Sequence, residues 1–281
     1  MQSIINLCAV MLVAISSSAN AKDTITWALV DWPPYFITQG EFQGQGVGDR
    51  FTDYFITRLP GYEHDKKEMT LARVEKEAQL GRTTCMTNRF YTEERAKLSY
   101  YTKPYSMSLS LKIILMEDTH RRIRRPSELS VEVINEGFML NGALEFGRSY
   151  GADLDPLLEQ YLSSPLLSKR RTTSAQLLDM LQLKRLDYFI EYPLNFIYLT
   201  QTRSLDPGNF VNVEISESPA YVLSWVSCSK TELGRRVVEQ LNSVIDAEKA
   251  KPEYLELVTH WLPESDAQKL EGYYREEILS E

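Results

Sequence analysis

The sequence has 281 residues, with 31 Lys or Arg against 39 Asp or Glu, a formal net charge of −8 and three histidines. That acidic balance argues against a nucleic-acid partner, which needs a basic surface. Histidines at 64, 120 and 260 show no metal-like spacing, so no structural zinc site, metal or other cofactor is expected, and small molecules or proteins remain as partners.

Residues 1–21, MQSIINLCAVMLVAISSSANA, carry an apolar run from Ile4 to Ile15, then small polar residues and Ala19-Asn20-Ala21. This is the pattern of a cleaved secretory signal peptide. The run is too short for the roughly 20 apolar residues that a hydrocarbon core about 30 Å thick requires. Cys8 lies inside the run rather than just after it, which argues against a lipid anchor. The chain is therefore expected to be exported. In an oxidising compartment Cys85 and Cys228, the two cysteines beyond the leader, read either as one long-range disulfide or as two buried free thiols.

Short β-type runs then alternate with amphipathic helical runs, which predicts an α/β fold. TITWALV (24–30) reads as a strand stopped by Asp31-Trp32-Pro33-Pro34. Phe51, Tyr54, Phe55 and Leu59 share a helical face over 49–59, with Asp49 as its cap and Pro60-Gly61 as its end. A strand is expected at 68–74, a helix at 72–81 and another strand at 83–89. The extended run 108–117 leads into DTHRRIRRPSEL (118–129), read as a solvated loop. Residues 142–162 read as a strand, a glycine turn and a helix capped by Ser149. Thr173 caps a helix that turns Leu177, Leu178, Leu181 and Leu183 inward, and a strand follows at 187–191. A strand at 221–228, a helix at 231–249 and a helical tail from Pro252, with Trp261 on its apolar side, complete the chain. No flexible linker is evident, so if there are two lobes, strands join them.

WPPYF (32–36), GQGVGD (44–49), TEERAKLSYYTKPY (92–105) and KRLDYFIEYP (184–193) stand in an order that resembles the family 3 extracellular solute-binding proteins. These are periplasmic receptors that capture amino acids and similar polar solutes for ABC importers. The resemblance runs over nearly the whole chain past the leader. It implies a two-lobed periplasmic-binding-protein fold of type II: lobe 1 at 22–112 and 219–281, lobe 2 at 113–218, joined by hinge strands 110–116 and 219–225. In such a lobe the returning strand lies antiparallel to the third strand, which favours the Cys85–Cys228 bridge.

The resemblance also implies a ligand set. Arg95 would fork two N–H bonds to a ligand carboxylate, rather than pair with Glu93 or Glu94 at the surface. Thr87 and Asn88 would contact the same carboxylate, and Trp32 would stack on the ligand above a plug made of Tyr35 and Phe36. Asp31 would cap its loop or touch a ligand amine. Phe90 stands where the family is usually small and polar, which implies a narrower or more apolar pocket. Ser149 would add a hydroxyl, with Arg148 beside it. Glu191 would hold an ammonium if a bulge re-aims it; without one, Tyr192 faces the cleft. The role implied is non-catalytic capture of a small solute by a monomer for an ABC permease. The alternatives are ligand sensing for a membrane signalling protein and, on the same fold, a dehydratase of cyclic acids in which Glu191 would be the acid–base group.

Overall fold

Two hydrophobic periodicities alternate along the chain, and the computed structural model, which describes residues 22–280, resolves them into two six-stranded sheets. The expected signal peptide lies outside the described residues. In chain order the first part comprises β1 (Thr24–Leu29), α1 (Val47–Arg58), β2 (Glu63–Glu68), α2 (Leu71–Gln79), β3 (Thr84–Arg89), α3 (Glu93–Ala96), β4 (Ser99–Tyr101) and β5 (Ser106–Leu109). The middle comprises β6 (Lys112–Met116), α4 (Glu117–Arg122), β7 (Glu128–Leu129), β8 (Gly142–Glu145), α5 (Leu154–Tyr161), β9 (Leu167–Arg170), α6 (Ser174–Gln182), β10 (Tyr188–Glu191), α7 (Pro193–Thr202) and β11 (Phe210–Ile215). The chain then returns through β12 (Tyr221–Ser229), α8 (Glu232–Glu248), α9 (Pro252–Thr259) and α10 (Glu264–Glu277).

The first sheet runs β2-β1-β3-β12-β4 with β5 paired to β12, and the second runs β7-β11-β6-β10-β8-β9. β1 is parallel to β2 and β3, and β8 is parallel to β9 and β10. The chain passes between sheets twice, across residues 110–111 and 216–220. β12 returns antiparallel to β3 with Cys228 opposite Cys85, and the two are disulfide-bonded across a separation of 143 residues. The bridge, rather than the pair of free thiols, is the outcome.

Packing follows the apolar pattern. Phe51 and Phe55 of α1 meet Tyr105 and Tyr254 edge to face at 4.7–5.4 Å, in a core that α8, α9 and α10 complete. The second lobe buries aliphatic residues on both faces of its sheet, in one cluster around Ile113, Leu144 and Val213 and another around Ile114, Phe189 and the leucines of α6. Thr173 caps α6 as expected and forms a capping box with Gln176. α7 bridges the lobes: Leu194 joins the first core, and Tyr198 packs on Phe42 and Trp261.

Several expectations are corrected. The strand expected at 68–74 is instead EHDKKE at 63–68, a charged run that serves as an edge strand, and the residues after it open α2. The charged stretch after β6 is helical over Glu117–Arg122 and buries Thr119 and His120. Leu183 ends α6 and is 62% exposed. α1 begins at Val47, so Asp49 lies inside it, where its carboxylate accepts from Gly46 N at 3.1 Å and Ile37 N at 2.8 Å. α5 begins at Leu154, too far along for Ser149 to cap it; Ser149 donates instead to Asp155 at 2.5 Å.

Candidate functional site between the lobes

The parallel strands of both sheets aim their carboxyl ends at one crevice, where open α/β sheets hold ligands. A cleft of about 530 Å³ opens there, a volume suited to a small molecule. The first lobe contributes Trp32 and Pro33 after β1 and Phe90 after β3. The second contributes Glu145, Arg148 and Ser149 from β8 and its loop, Thr173 and Ser174 at the start of α6, Tyr192 after β10, and Asn195 and Tyr198 of α7.

The first wall is held by a layer beneath it. Trp32 lies 5.0 Å from the ring of Tyr35, and Tyr35 and Phe36 are buried as a plug. Asp31 accepts from the Thr38 hydroxyl at 2.9 Å and so ties its loop. At the end of β3 Asn88 takes a φ of 52°, a conformation that asparagine tolerates better than most residues. Its N–H donates to the buried Tyr105 hydroxyl at 2.8 Å, and its side-chain oxygen accepts from Ser224 at 3.2 Å. Thr87 is fully buried and donates to Gly48 O at 3.0 Å. Thr87 and Asn88 thus fix the end of β3 without lining the cleft, and Phe90 is the residue that reaches it.

The second wall is electrostatic. Glu191 is fully buried, and Arg148 grips it with a fork, Nη2 to Oε1 at 2.6 Å and Nη1 to Oε2 at 2.7 Å. Nη1 also donates to Ser174 at 2.9 Å and to Glu145 at 3.3 Å, and the Ser174 hydroxyl contacts both carboxylates. A buried carboxylate is tolerated here because the fork is charge-assisted and the first turn of α6 adds positive potential. Burial works against the Arg148 charge, but the Glu191 carboxylate outweighs it and holds the guanidinium firmly charged. Burial pushes the Tyr150 hydroxyl under Arg148 up to about 12 and raises that of Tyr192, so both stay protonated. No bulge re-aims Glu191: in its register with β6 it shares a sheet face with Phe189, under α6, while Tyr192 lines the cleft.

Of the residues expected in the site, Trp32, Phe90, Ser149 and Tyr192 line the cleft, and Glu191 reaches its wall through Arg148. Arg95 lies on the wall of a different hollow, where its Nη1 donates to Phe90 O at 3.2 Å. Sequence reading missed Glu145, Ser174 and Tyr198. A Glu and an Arg three residues apart at the end of an apolar strand were a usable signal for the first. None of the three histidines lines the cleft: His64 bonds Trp27, His120 bonds Pro126 O and His260 bonds Gln45 O. The cleft therefore offers one tightly held cation, an accessible carboxylate and aromatic faces, a set suited to binding a polar molecule.

No protein-family model and no curated protein sequence matches the chain. Solved structures do match in fold. Substrate-binding domain 2 of Lactococcus lactis GlnP in its open conformation superposes with a TM-score of 0.62 at 14% identity, over 86% of this chain and 96% of that one. The unliganded, open L-cystine solute receptor of Neisseria gonorrhoeae gives 0.60 at 17% identity, over 85% and 92%. A histidine kinase sensor domain with similarity to periplasmic binding proteins gives 0.58 at 17%, over 86% and 96%. At these identities the likeness establishes the two-lobed fold that the sequence resemblance implied.

Proposed function

We propose that this chain is a family 3 solute-binding protein that captures an amino acid or similar small carboxylate-bearing solute in its interlobe cleft, without catalysis, for an ABC importer in the periplasm. The observation that carries the reading is the mixed-charge wall of the cleft faced by aromatic rings from the other lobe. A zwitterion fits that wall: its carboxylate accepts from Arg148, competing with Glu145, and its ammonium donates to Glu145. Its body packs between Trp32, Phe90, Tyr192 and Tyr198. Residues 22–112 with 219–281 and residues 113–218 act as the closing lobes, and the two sheet-to-sheet crossings act as the hinge. A signalling role on the same binding chemistry is the second reading, favoured by the fold shared with a histidine kinase sensor domain.

The test is a thermal-shift screen with amino acids, dicarboxylates, short peptides and cyclic carboxylates. A ligand at about 100 times its Kd adds roughly 2.7 kcal/mol to the folded state and gives a clear rise in Tm. The expected result is a hit among amino acids that weakens about tenfold in Trp32→Ala. Turnover of a cyclic acid, or a hit indifferent to Trp32→Ala, overturns the reading. Importer permease and ATPase genes beside this gene favour transport, and a sensor gene favours signalling.

A further inference from the structure

A second hollow of about 420 Å³ lies in the first lobe, between α2 and the sheet, and shares no lining residue with the interlobe cleft. Its floor is polar: Thr84 of β3 and Ser227 and Ser229 of β12 line it from buried positions. Arg89 and Arg95 line it too, brought there by the left-handed turn at Asn88, after which Arg89 lines the hollow and Phe90 the cleft.

The two arginines are unusual in what they leave free. The Arg89 side chain is 7% exposed, yet its carboxylate contact is a single 3.2 Å bond to the half-exposed Glu75 rather than a fork. Among the described residues Arg95 has no carboxylate within ion-pair distance, and its guanidinium is held only by the neutral carbonyl of Phe90. Most N–H donors of both groups thus lack a protein acceptor. Burial, and then the neighbouring Arg95 charge, disfavour the Arg89 cation, a crowding that an anion between them relieves. The adjacent Tyr101 hydroxyl is buried beside both guanidiniums, and burial keeps it protonated. Glu75 and Glu94 also line the hollow, and an entering anion competes with Glu75 for Arg89, whereas at Arg95 it replaces only a weaker, neutral acceptor.

We propose that this hollow is an anion site, distinct from the solute cleft, in which Arg89 and Arg95 together hold a carboxylate or phosphate group. It stands independently of the function proposed for the cleft. Inorganic phosphate and succinate, titrated calorimetrically into the whole protein at constant ionic strength set with sodium chloride, test it and separate the two anion types. The expected result is saturable binding of at least one probe that weakens tenfold or more in Arg95→Gln and persists in Arg148→Lys. Arg89→Gln, checked for folding by circular dichroism, weakens it likewise. Absence of saturable binding by both probes overturns the site. So does binding that is lost in Arg148→Lys and kept in Arg95→Gln, which returns the anion to the interlobe cleft.

Discussion

Arg148 gives both arms of its guanidinium to Glu191 at 2.6 and 2.7 Å, whereas Arg95 gives one N–H to a backbone carbonyl at 3.2 Å. Both follow a strand end in an α/β lobe, but the first lies over a fully buried carboxylate and the second within the short surface helix α3. The contrast teaches that a guanidinium's role depends on what already satisfies it. Arg148 is positioned in advance by a buried partner, so its orientation in the cleft is fixed before a solute arrives. Arg95 keeps its donors for an acceptor that the chain does not supply.

Glu191→Ala breaks the comparison most severely. It strips the buried partner from Arg148 and is expected to cost about 3–5 kcal/mol in urea unfolding, whereas Arg95→Ala is expected to cost at most about 1 kcal/mol. Equal, small losses would mean that the two arginines are held alike. Removing the disulfide with Cys85→Ala and Cys228→Ala is expected to cost about 2–5 kcal/mol, because it frees a long loop in the unfolded chain and unties β3 from β12. The same double variant should blunt contacts of the first-lobe wall more than those of Arg148.

Tyr105→Phe sharpens the comparison at the base of that wall. It leaves the buried Asn88 N–H without its acceptor, at a cost of about 1–3 kcal/mol, and hydrogen exchange at Asn88 should speed up while exchange at Tyr192 does not. The smallest expected effect is a pH dependence at His260. Burial, and then the Arg50 charge, lower its folded pKa below the ordinary 6.5, so the unfolded chain binds the extra proton first. Stability should therefore fall as pH drops through about 6.5 and level off below the folded pKa, and His260→Gln should flatten that slope.

The fold was legible because its strands and helices obey simple periodicities: TITWALV, the inward Leu177, Leu178 and Leu181 of α6, and the helix α8 lie where the pattern put them. β2 was hidden because an edge strand exposed to solvent can be charged throughout. α7 was hidden because it is buried by both lobes and so lacks a polar face to reveal its period. Around the cleft the sequence showed Trp32, Phe90, Ser149 and Tyr192, each adjacent to a strand end. The Arg148–Glu191 fork was not legible, since its partners lie 43 positions apart, one in the loop after β8 and the other at the end of β10, and only the pairing of those strands brings them together. The direction of Arg95 was equally hidden, because it depends on a backbone turn at Asn88 that composition does not announce.

The most direct measurement is a calorimetric titration of the best solute from the screen into wild-type protein, Arg148→Lys and Arg95→Gln. Lysine keeps a positive charge beside Glu191 but loses the fork, so the lobe stays folded while the carboxylate loses its paired bonds. The account predicts that the solute's affinity for the interlobe cleft drops at least tenfold in Arg148→Lys and less than threefold in Arg95→Gln. Unchanged affinity in Arg148→Lys with loss in Arg95→Gln would contradict it and hand the solute's carboxylate to the first lobe.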